Sequence, residues 1–282
     1  MRYFWGFIFL TVPIVGVAMF VYSYARTDGW LPPNVASIGD EIDFLFYFIL
    51  AITGIVFILT ELLLVYAMMT ATGRNGGKST YTHGSKPLEV TWTVLTAAIL
   101  LFIAFYQVPT WARAKFYGQF KERHPDVKPT ALVIASQFQW ETRQALWDKE
   151  ADKPGELNWK NPNFRDSFVM YNELHIPAGE PVLIYLTTRD VIHSFWVPSL
   201  RVKQDALPGS VIPVWFDAAK LKPEDFGPNK TKEIEWVCAE LCGWGHYRMR
   251  AKVVVHATKQ DYYEWLKRKS EEQLTSKPNQ GI

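Results

Sequence analysis

Two cysteines, a histidine and a methionine lie within twelve residues of this 282-residue chain, and their side chains could together bind a soft metal ion. The stretch reads C-x-E-x-C-x3-H-x2-M from Cys238 to Met249. Thiolate, imidazole and thioether donors suit copper, whereas hard ions prefer oxygen. A blue-copper centre uses one Cys, two His and a weak axial Met, so the second Cys predicts a second copper ion. Each copper needs its own imidazole, and His193 is the best candidate for the second one.

Two other interpretations of the cysteines are open. In an oxidising compartment two Cys four residues apart could form a disulfide, although the closed loop would be very small. A tetrahedral Cys2His2 zinc site is the other, but zinc ligands usually come as a close Cys pair followed by a close His pair. Here His193 precedes both Cys by more than forty residues, and Met249 has no role in either alternative.

The motif resembles the dinuclear copper (CuA) loop of the cytochrome c oxidase subunit II family. Residues 203–209 are similar to the K-x-D-A-x-P-G stretch that follows the family's first His ligand, and residues 88–93 to the start of its last membrane helix. The resemblance implies two bridging Cys, one His for each copper ion, a weak axial Met, and a backbone carbonyl as a weak axial ligand. The implied ligands are His193, Cys238, Glu240, Cys242, His246 and Met249.

The same resemblance implies roles for four further groups. The carboxylate of Glu240 would help to hold a magnesium ion at the boundary with the catalytic subunit; the alternative is a hydrogen bond that orients the loop. Glu89 would lie at the mouth of a proton channel, or be a simple interfacial charge. Phe138 and Trp140 resemble the family's aromatic patch where the electron arrives, but Phe138 stands where many members have the surface Trp.

Three apolar runs are each long enough to cross a bilayer, which takes about twenty apolar residues in a helix. They cover residues 3–22, 44–69 and 90–108. We expect a two-helix transmembrane hairpin over residues 42–109. Residues 1–25 are a first transmembrane helix or a signal peptide, and the length of the run favours the helix. Glu61 interrupts the second run and is expected to face a neighbouring subunit, because a carboxylate facing lipid is costly.

Charge placement predicts the orientation in the membrane. Arg74, Lys78 and Lys86 lie between the second and third runs. Positive residues stay on the cytoplasmic side, so the third helix crosses outward and the chain after about residue 109 lies outside. We therefore expect an integral protein of the bacterial inner membrane with its copper domain on the periplasmic face.

Residues 110–260 change to short runs rich in Val, Ile and aromatics, separated by turn signals. The clearest runs are 131–135, 181–187, 211–216, 234–237 and 252–256. They predict an all-β, cupredoxin-like Greek-key domain. Residues 143–165 are interpreted as a solvated insertion, and residues 261–282 as a C-terminal helix with a flexible tail.

The resemblance implies a subunit of cytochrome c oxidase that takes electrons from cytochrome c, or a bound c-type cytochrome, at two copper ions. It would pass them to haem in catalytic subunit I, beside subunit III and other oxidase subunits, where oxygen reduction to water is coupled to proton translocation. No residue of this chain would be catalytic. Three alternatives fit the sequence less well. The intact ligand set argues against a copper-free quinol-oxidase relative, and the closed site argues against a copper carrier. The chain has only six His, which argues against nitrous oxide reductase. With a net charge of +2 and no basic stripe, nucleic-acid binding is not expected.

Overall fold

The computed structural model describes residues 2–27, 29–70, 81, 83–157 and 167–276. It contains two compact units, Met1–Pro32 with Glu41–Pro109 and Pro33–Asp40 with Thr110–Ile282. Arg74 and Lys78, on which the predicted orientation partly depends, lie outside the described residues.

The first unit consists mainly of three helices, as the apolar runs predicted. They are α1 (Arg2–Arg26), α2 (Gly39–Thr70) and α3 (Lys86–Lys115). All three are long and apolar enough to cross a membrane. Large apolar side chains such as Phe7, Leu63 and Leu100 are exposed on them, which fits surfaces that meet lipid.

Glu61 is half-buried on α2, beside a groove of about 850 Å³ between α1 and α2. The other residues that line the groove are apolar or small, among them Phe9, Pro13 and Gly54. The expected contact of Glu61 with a neighbouring subunit stays a prediction.

The second unit is an all-β sandwich, which confirms the predicted fold class. Its strands are β1 (Pro129–Ser136), β2 (Gln139–Ala145), β3 (Trp147–Asp148), β4 (Lys153–Pro154), β5 (Ser167–Tyr171), β6 (Glu173–Pro177), β7 (Val182–Thr188), β8 (His193–Val197), β9 (Val202–Ala206), β10 (Ile212–Phe216), β11 (Thr231–Cys238) and β12 (Arg250–His256). One five-stranded sheet has the order β10-β7-β1-β2-β5, the other β6-β12-β11-β8-β9, and β3 pairs with β4. The β1/β7 and β6/β12 pairs are parallel and the remaining pairs antiparallel.

The core of the sandwich forms from the inward-facing residues of both sheets. Trp140 of β2, Phe195 of β8 and Trp236 of β11 are fully buried, and the ring centroids of Trp140 and Trp236 are 4.7 Å apart. Aliphatic residues of β1, β7 and β12 complete the cluster. This aromatic part of the core lies next to the ends of β8 and β11, where the candidate ligands begin.

The second unit also contains two helices, and its structure corrects one prediction. Helix α4 spans Tyr117–Arg123 and α5 spans Lys259–Ser276. The predicted solvated insertion is wrong in its first part, because residues 143–145 belong to β2 and are buried, and Trp147 is buried against α5. Arg143 was interpreted as a solvated charge, but its side chain is buried and its Nε donates a hydrogen bond to the Glu141 carboxylate at 2.7 Å. Residues 158–166 and 277–282 lie outside the described part of the chain.

Candidate metal centre

Strand pairing brings His193 and Cys238 to the same end of one sheet. His193 begins β8 and Cys238 ends β11, and the two strands are antiparallel with Phe195 opposite Cys238. The backbone N–H of Ala239 donates to the carbonyl of Ser194 at 3.0 Å, which continues the pairing by one bond. The forty-odd residues between the two ligands in sequence are therefore no obstacle to their contact in space.

The loop from Cys238 to Met249 then folds back on itself and places the remaining donors. The Cys238 backbone N–H donates to the carbonyl of Met249 at 3.1 Å, so the loop closes where β12 begins. Within it His246 to Arg248 form one 3-10 turn. The turn directs His246 and Met249 towards the same point.

The six predicted ligands meet in one small cluster. The Sγ atoms of Cys238 and Cys242 are 4.0 Å apart. His193 Nδ1 lies 3.9 Å from Cys238 Sγ, and His246 Nδ1 lies 3.6 Å from Cys242 Sγ. Met249 Sδ is 3.7 Å from Cys242 Sγ, and the Glu240 carbonyl oxygen is 3.2 Å from Cys238 Sγ. Each sulfur thus has one imidazole nitrogen and one weaker donor beside it, a thioether for Cys242 and a carbonyl for Cys238.

The dimensions of the cluster suit a metal held between the two sulfurs. Metal–thiolate bonds of about 2.3 Å on each side reach across as much as about 4.6 Å, and the sulfurs are 4.0 Å apart. The ligand atoms of His193, Cys238 and Cys242 all lie within 4.8 Å of one another. Both cysteines are free thiols in the structure. The nearby thioether favours a soft metal such as copper over zinc.

Burial separates the donors from water. His193 and Met249 are 0% and 1% exposed, and both cysteines are buried. His246 is half-buried, and the side chain of Glu240 is exposed. Only the carbonyl of Glu240 therefore faces the cluster, and its carboxylate is free to meet another molecule.

The two thiols have different pKa values, because the charge of one opposes ionisation of the other. Burial opposes ionisation of Cys238, but hydrogen bonds from His193 and from the backbone lower its pKa to about 7. Burial and the neighbouring charge of Cys238 raise the pKa of Cys242 to about 12. Without metal, one thiol of the pair keeps its proton, and metal binding would displace it.

Asp190 orients His193 and was not singled out in the sequence. Its Oδ1 lies 2.8 Å from His193 Nε2, while the Gln137 backbone N–H donates to its Oδ2 at 2.7 Å. This bond fixes the ring so that Nδ1 points at Cys238, the usual role of a carboxylate behind a metal-bound imidazole. The signal was the D-x-x-H spacing of Asp190 and His193.

Gln137 ties the β1–β2 turn to the metal loop. Its side-chain amide donates to the carbonyl of Cys242. The next residue, Phe138, is half-buried and lies against the loop: a Cβ added at Gly245 would be 2.5 Å from its ring. Gly243 has a φ of +129°, a conformation that only glycine adopts readily.

The remaining predicted residues lie outside the cluster, and one of them needs correction. Trp140 is 0% exposed, with its ring centroid 6.1 Å from that of His193, so it cannot form part of an exposed contact surface. Alternation along β2 points it into the core, which the sequence alone did not reveal because no strand was predicted there. Glu89 is exposed in the first turn of α3, within the helical unit.

Comparison with known proteins gives consistent results for both units. Residues 27–109 match the family model "Cytochrome C oxidase subunit II, transmembrane domain", and residues 156–258 match "Cytochrome C oxidase subunit II, periplasmic domain". The chain is 31% identical to the alternative cytochrome c oxidase subunit 2 of Bradyrhizobium diazoefficiens, over 84% of this chain and 82% of that protein. It is 29% identical to cytochrome c oxidase subunit 2 of Thermostichus vulcanus, over 91% and 83%.

Among solved structures, the chain is similar to the periplasmic domain of subunit II of cytochrome oxidase of Bradyrhizobium japonicum. The sequence identity is 24% and the TM-score 0.37, with 53% of this chain and 97% of that chain covered. Helix α1 precedes both segments that match the family models.

Proposed function

Because this chain belongs to the cytochrome c oxidase subunit II family, we propose that it receives electrons from cytochrome c at a dinuclear copper centre. It would pass them to a haem of the catalytic subunit, which reduces oxygen to water and couples this to proton translocation. The single observation that carries the proposal is the pair of sulfurs 4.0 Å apart, each beside its own imidazole nitrogen.

The donor atoms of this chain fit two copper ions. Cys238, Cys242, His193 and His246 would hold the two ions through their sulfur and nitrogen atoms. Met249 Sδ and the Glu240 carbonyl would be the weaker donors. When bound, the copper pair supplies reversible one-electron transfer.

The protein's contribution is to hold these donors still. His193 and Cys238 belong to paired strands, the loop is closed by backbone hydrogen bonds, and Asp190 fixes the His193 ring. Packed interiors resist rearrangement, so the donor positions should change little when the charge of the site changes. Burial excludes water from the sulfurs, which further limits the movement that accompanies electron transfer.

Phe138 is the proposed contact for the electron donor, without Trp140. Phe138 is partly exposed and lies against the metal loop at Gly243 and Gly245, which are next to the ligands Cys242 and His246 in the chain. The exposed Asp205 would help to steer a basic donor, because complementary charge raises the rate of encounter. The donor would be a soluble cytochrome c or a c-type cytochrome bound in the same complex.

On the acceptor side, we propose contacts with catalytic subunit I, and membership of a complex with subunit III. The exposed Glu240 carboxylate would help to hold a magnesium ion at the boundary with subunit I, and Glu89 would stand at the mouth of a proton channel. Both carboxylates are exposed in this chain, which leaves them available to a partner. We also propose that residues 1–25 are retained as a third membrane helix; peptides from this segment would then be detected by mass spectrometry in the membrane-bound protein.

The experiment that tests the proposed function is an EPR spectrum of the full chain in detergent, loaded with copper. Two coppers per chain and the seven-line pattern of a delocalised pair are expected. Cys238→Ser and Cys242→Ser should each abolish that pattern because a bridge is lost. His83→Ala changes an exposed imidazole elsewhere and is the matched control. A four-line signal from a single copper would contradict the dinuclear proposal.

A further inference from the structure

Two histidines that the copper site does not use are buried together beneath the C-terminal helix. His175 lies on β6 and His256 at the end of β12; they are 7% and 4% exposed. His175 Nδ1 is 2.9 Å from His256 Nε2, so the two rings share one hydrogen bond. In the parallel pairing of β6 with β12, His175 is opposite Val254 and His256 is opposite Pro177, so the two histidines are diagonal neighbours in the sheet.

Helix α5 covers this pair. The Trp265 ring stacks on His175 with centroids 3.8 Å apart and an interplanar angle of 7°. The centroid of the Trp265 ring lies 5.3 Å from that of the His256 ring, and the centroid of the Tyr262 ring lies 5.7 Å from that of the His256 ring. Trp265 and Tyr262 are themselves buried in a cluster with Trp147 and Phe168. Helix α5 therefore shields most of the surface of the two histidine rings from water.

The shared hydrogen bond limits how many protons the covered pair can hold. With both rings neutral, one nitrogen donates and the other accepts. One extra proton can still be held, since an imidazolium can donate to a neutral imidazole. A second proton would place two N–H groups and two positive charges face to face at 2.9 Å without an acceptor between them.

The charges around the pair come from both strands and from the helix. On β6, Glu173 Oε1 is 3.4 Å from His175 Nε2, and on β12 Lys252 pairs with Glu173 at 3.2 Å. On helix α5, the charge of Asp261 favours protonation of His256. The charge of Arg268 opposes protonation of His256, and the charge of Lys269 opposes protonation of His175. Gln144 of β2 bonds the Tyr262 hydroxyl and the His175 carbonyl.

We propose that the His175–His256 pair is a pH-sensitive latch that holds α5 on the sheet when neutral and releases it when both rings are protonated. The outer unit of this family is periplasmic, a compartment whose pH follows the medium. Released, α5 would expose the aromatic cluster that it now covers. The latch is separate from the copper ligands and does not depend on the proposed function.

The sign of the pH effect follows from the burial of the two rings. Burial first, then the charge of His175, lowers the pKa of His256 from its ordinary 6.5 to about 4. Burial also lowers the pKa of His175, although Glu173 acts in the opposite direction. The released state therefore binds more protons than the docked state, so release becomes easier as pH falls from 6.5 towards 4. For His256 alone, these pKa values make release about twentyfold easier at pH 5 than at pH 7.

The test is hydrogen–deuterium exchange of α5 in the copper-loaded full chain in detergent, corrected for the intrinsic effect of pH on exchange. The opening constant for residues 262–270 should rise about twentyfold or more between pH 7 and pH 5. His256→Gln and the wild type both keep a side chain that can hydrogen-bond His175, but the variant has lost one of the two buried titrating rings, so its opening constant should rise clearly less between pH 7 and pH 5. His175→Gln is a second variant with the same expectation, in case the first does not fold. His124→Gln, outside the pair, is the control.

Two results would overturn the latch: an opening constant that does not change with pH, or the same pH response in a folded variant that lacks one ring of the pair. The copper spectrum recorded on the same samples distinguishes this outcome from failure of the proposed function. A chain that binds no copper pair but still shows the pH response of α5 would refute the proposed function and leave the latch intact.

Discussion

Asp190→Ala should weaken copper binding although Asp190 would not touch the metal. The Asp190 carboxylate accepts hydrogen bonds from the backbone N–H groups of Gln137 and Val191 at 2.7 Å each, and it contacts His193 Nε2 at 2.8 Å. Burial opposes its ionisation, but these donors outweigh burial and lower its pKa. The carboxylate is therefore charged at neutral pH and holds the β1–β2 turn and the His193 ring in one arrangement.

The expected loss can be worked out from these bonds. Removing the partner of a metal-bound imidazole typically costs 10–100-fold in affinity, or about 1.4–2.7 kcal/mol. This agrees with about 1.5–3 kcal/mol for a hydrogen bond to a charged group, and the partial exposure of Asp190 places the effect in the lower half of that range. Asp190→Asn should lose less, because its amide keeps one acceptor oxygen but turns a donor towards one of the N–H groups.

The assay is competition for copper between the full chain and a chelator, followed by visible absorption and EPR. Asp205→Ala removes an exposed carboxylate on β9, opposite Ser194 of β8, and is the matched control for charge. If Asp190→Ala holds copper as tightly as Asp205→Ala does, the orienting role of Asp190 is refuted. A loss of charge steering alone would change the rate of reduction in both variants and leave copper affinity unchanged.

Four further changes probe the loop and its surroundings. Gly245→Ala should lower copper occupancy because its Cβ would lie 2.5 Å from the Phe138 ring. Gly118→Ala is the control and should leave copper occupancy unchanged, since no heavy atom lies within 4 Å of its new Cβ. The measurement is the copper-to-protein ratio of each variant. Phe138→Ala should slow reduction by cytochrome c in stopped flow without altering the spectrum. Trp140→Ala should instead cost about 3–5 kcal/mol of stability, seen as a melting temperature lower by about 6–20 °C; a shift under about 2 °C would contradict its place in the core. Met249→Leu should keep copper and shift the potential in a redox titration, since a weak axial donor mainly tunes redox behaviour; loss of copper would argue for a stronger bond.

Local patterns in the sequence determined the chemistry and the class of the fold. The donors from Cys238 to Met249 are close in the chain, so their common loop could be inferred before any folding was considered. The three apolar runs became α1, α2 and α3, because membrane spanning depends on length and composition alone. Strands such as β7 and β12 were predicted from their continuous runs of Val, Ile and Leu.

Which distant residues share an environment depends on strand pairing and packing. Asp190 and Gln137 are ordinary polar residues until strand pairing brings one to His193 and the other to Cys242. Trp140 was expected at the surface from its resemblance to the family's aromatic patch. It lies instead on a strand that is buried from Trp140 to Ala145, where Glu141 pairs with Arg143.

The histidines show the same division most clearly. In the sequence His175 and His256 have no soft-ligand neighbours that would suggest a metal site. The structure places them 2.9 Å apart beneath Trp265. Burial and proximity, which are properties of the packed molecule, set their protonation, whereas donor type and spacing, which belong to the chain, set the metal chemistry.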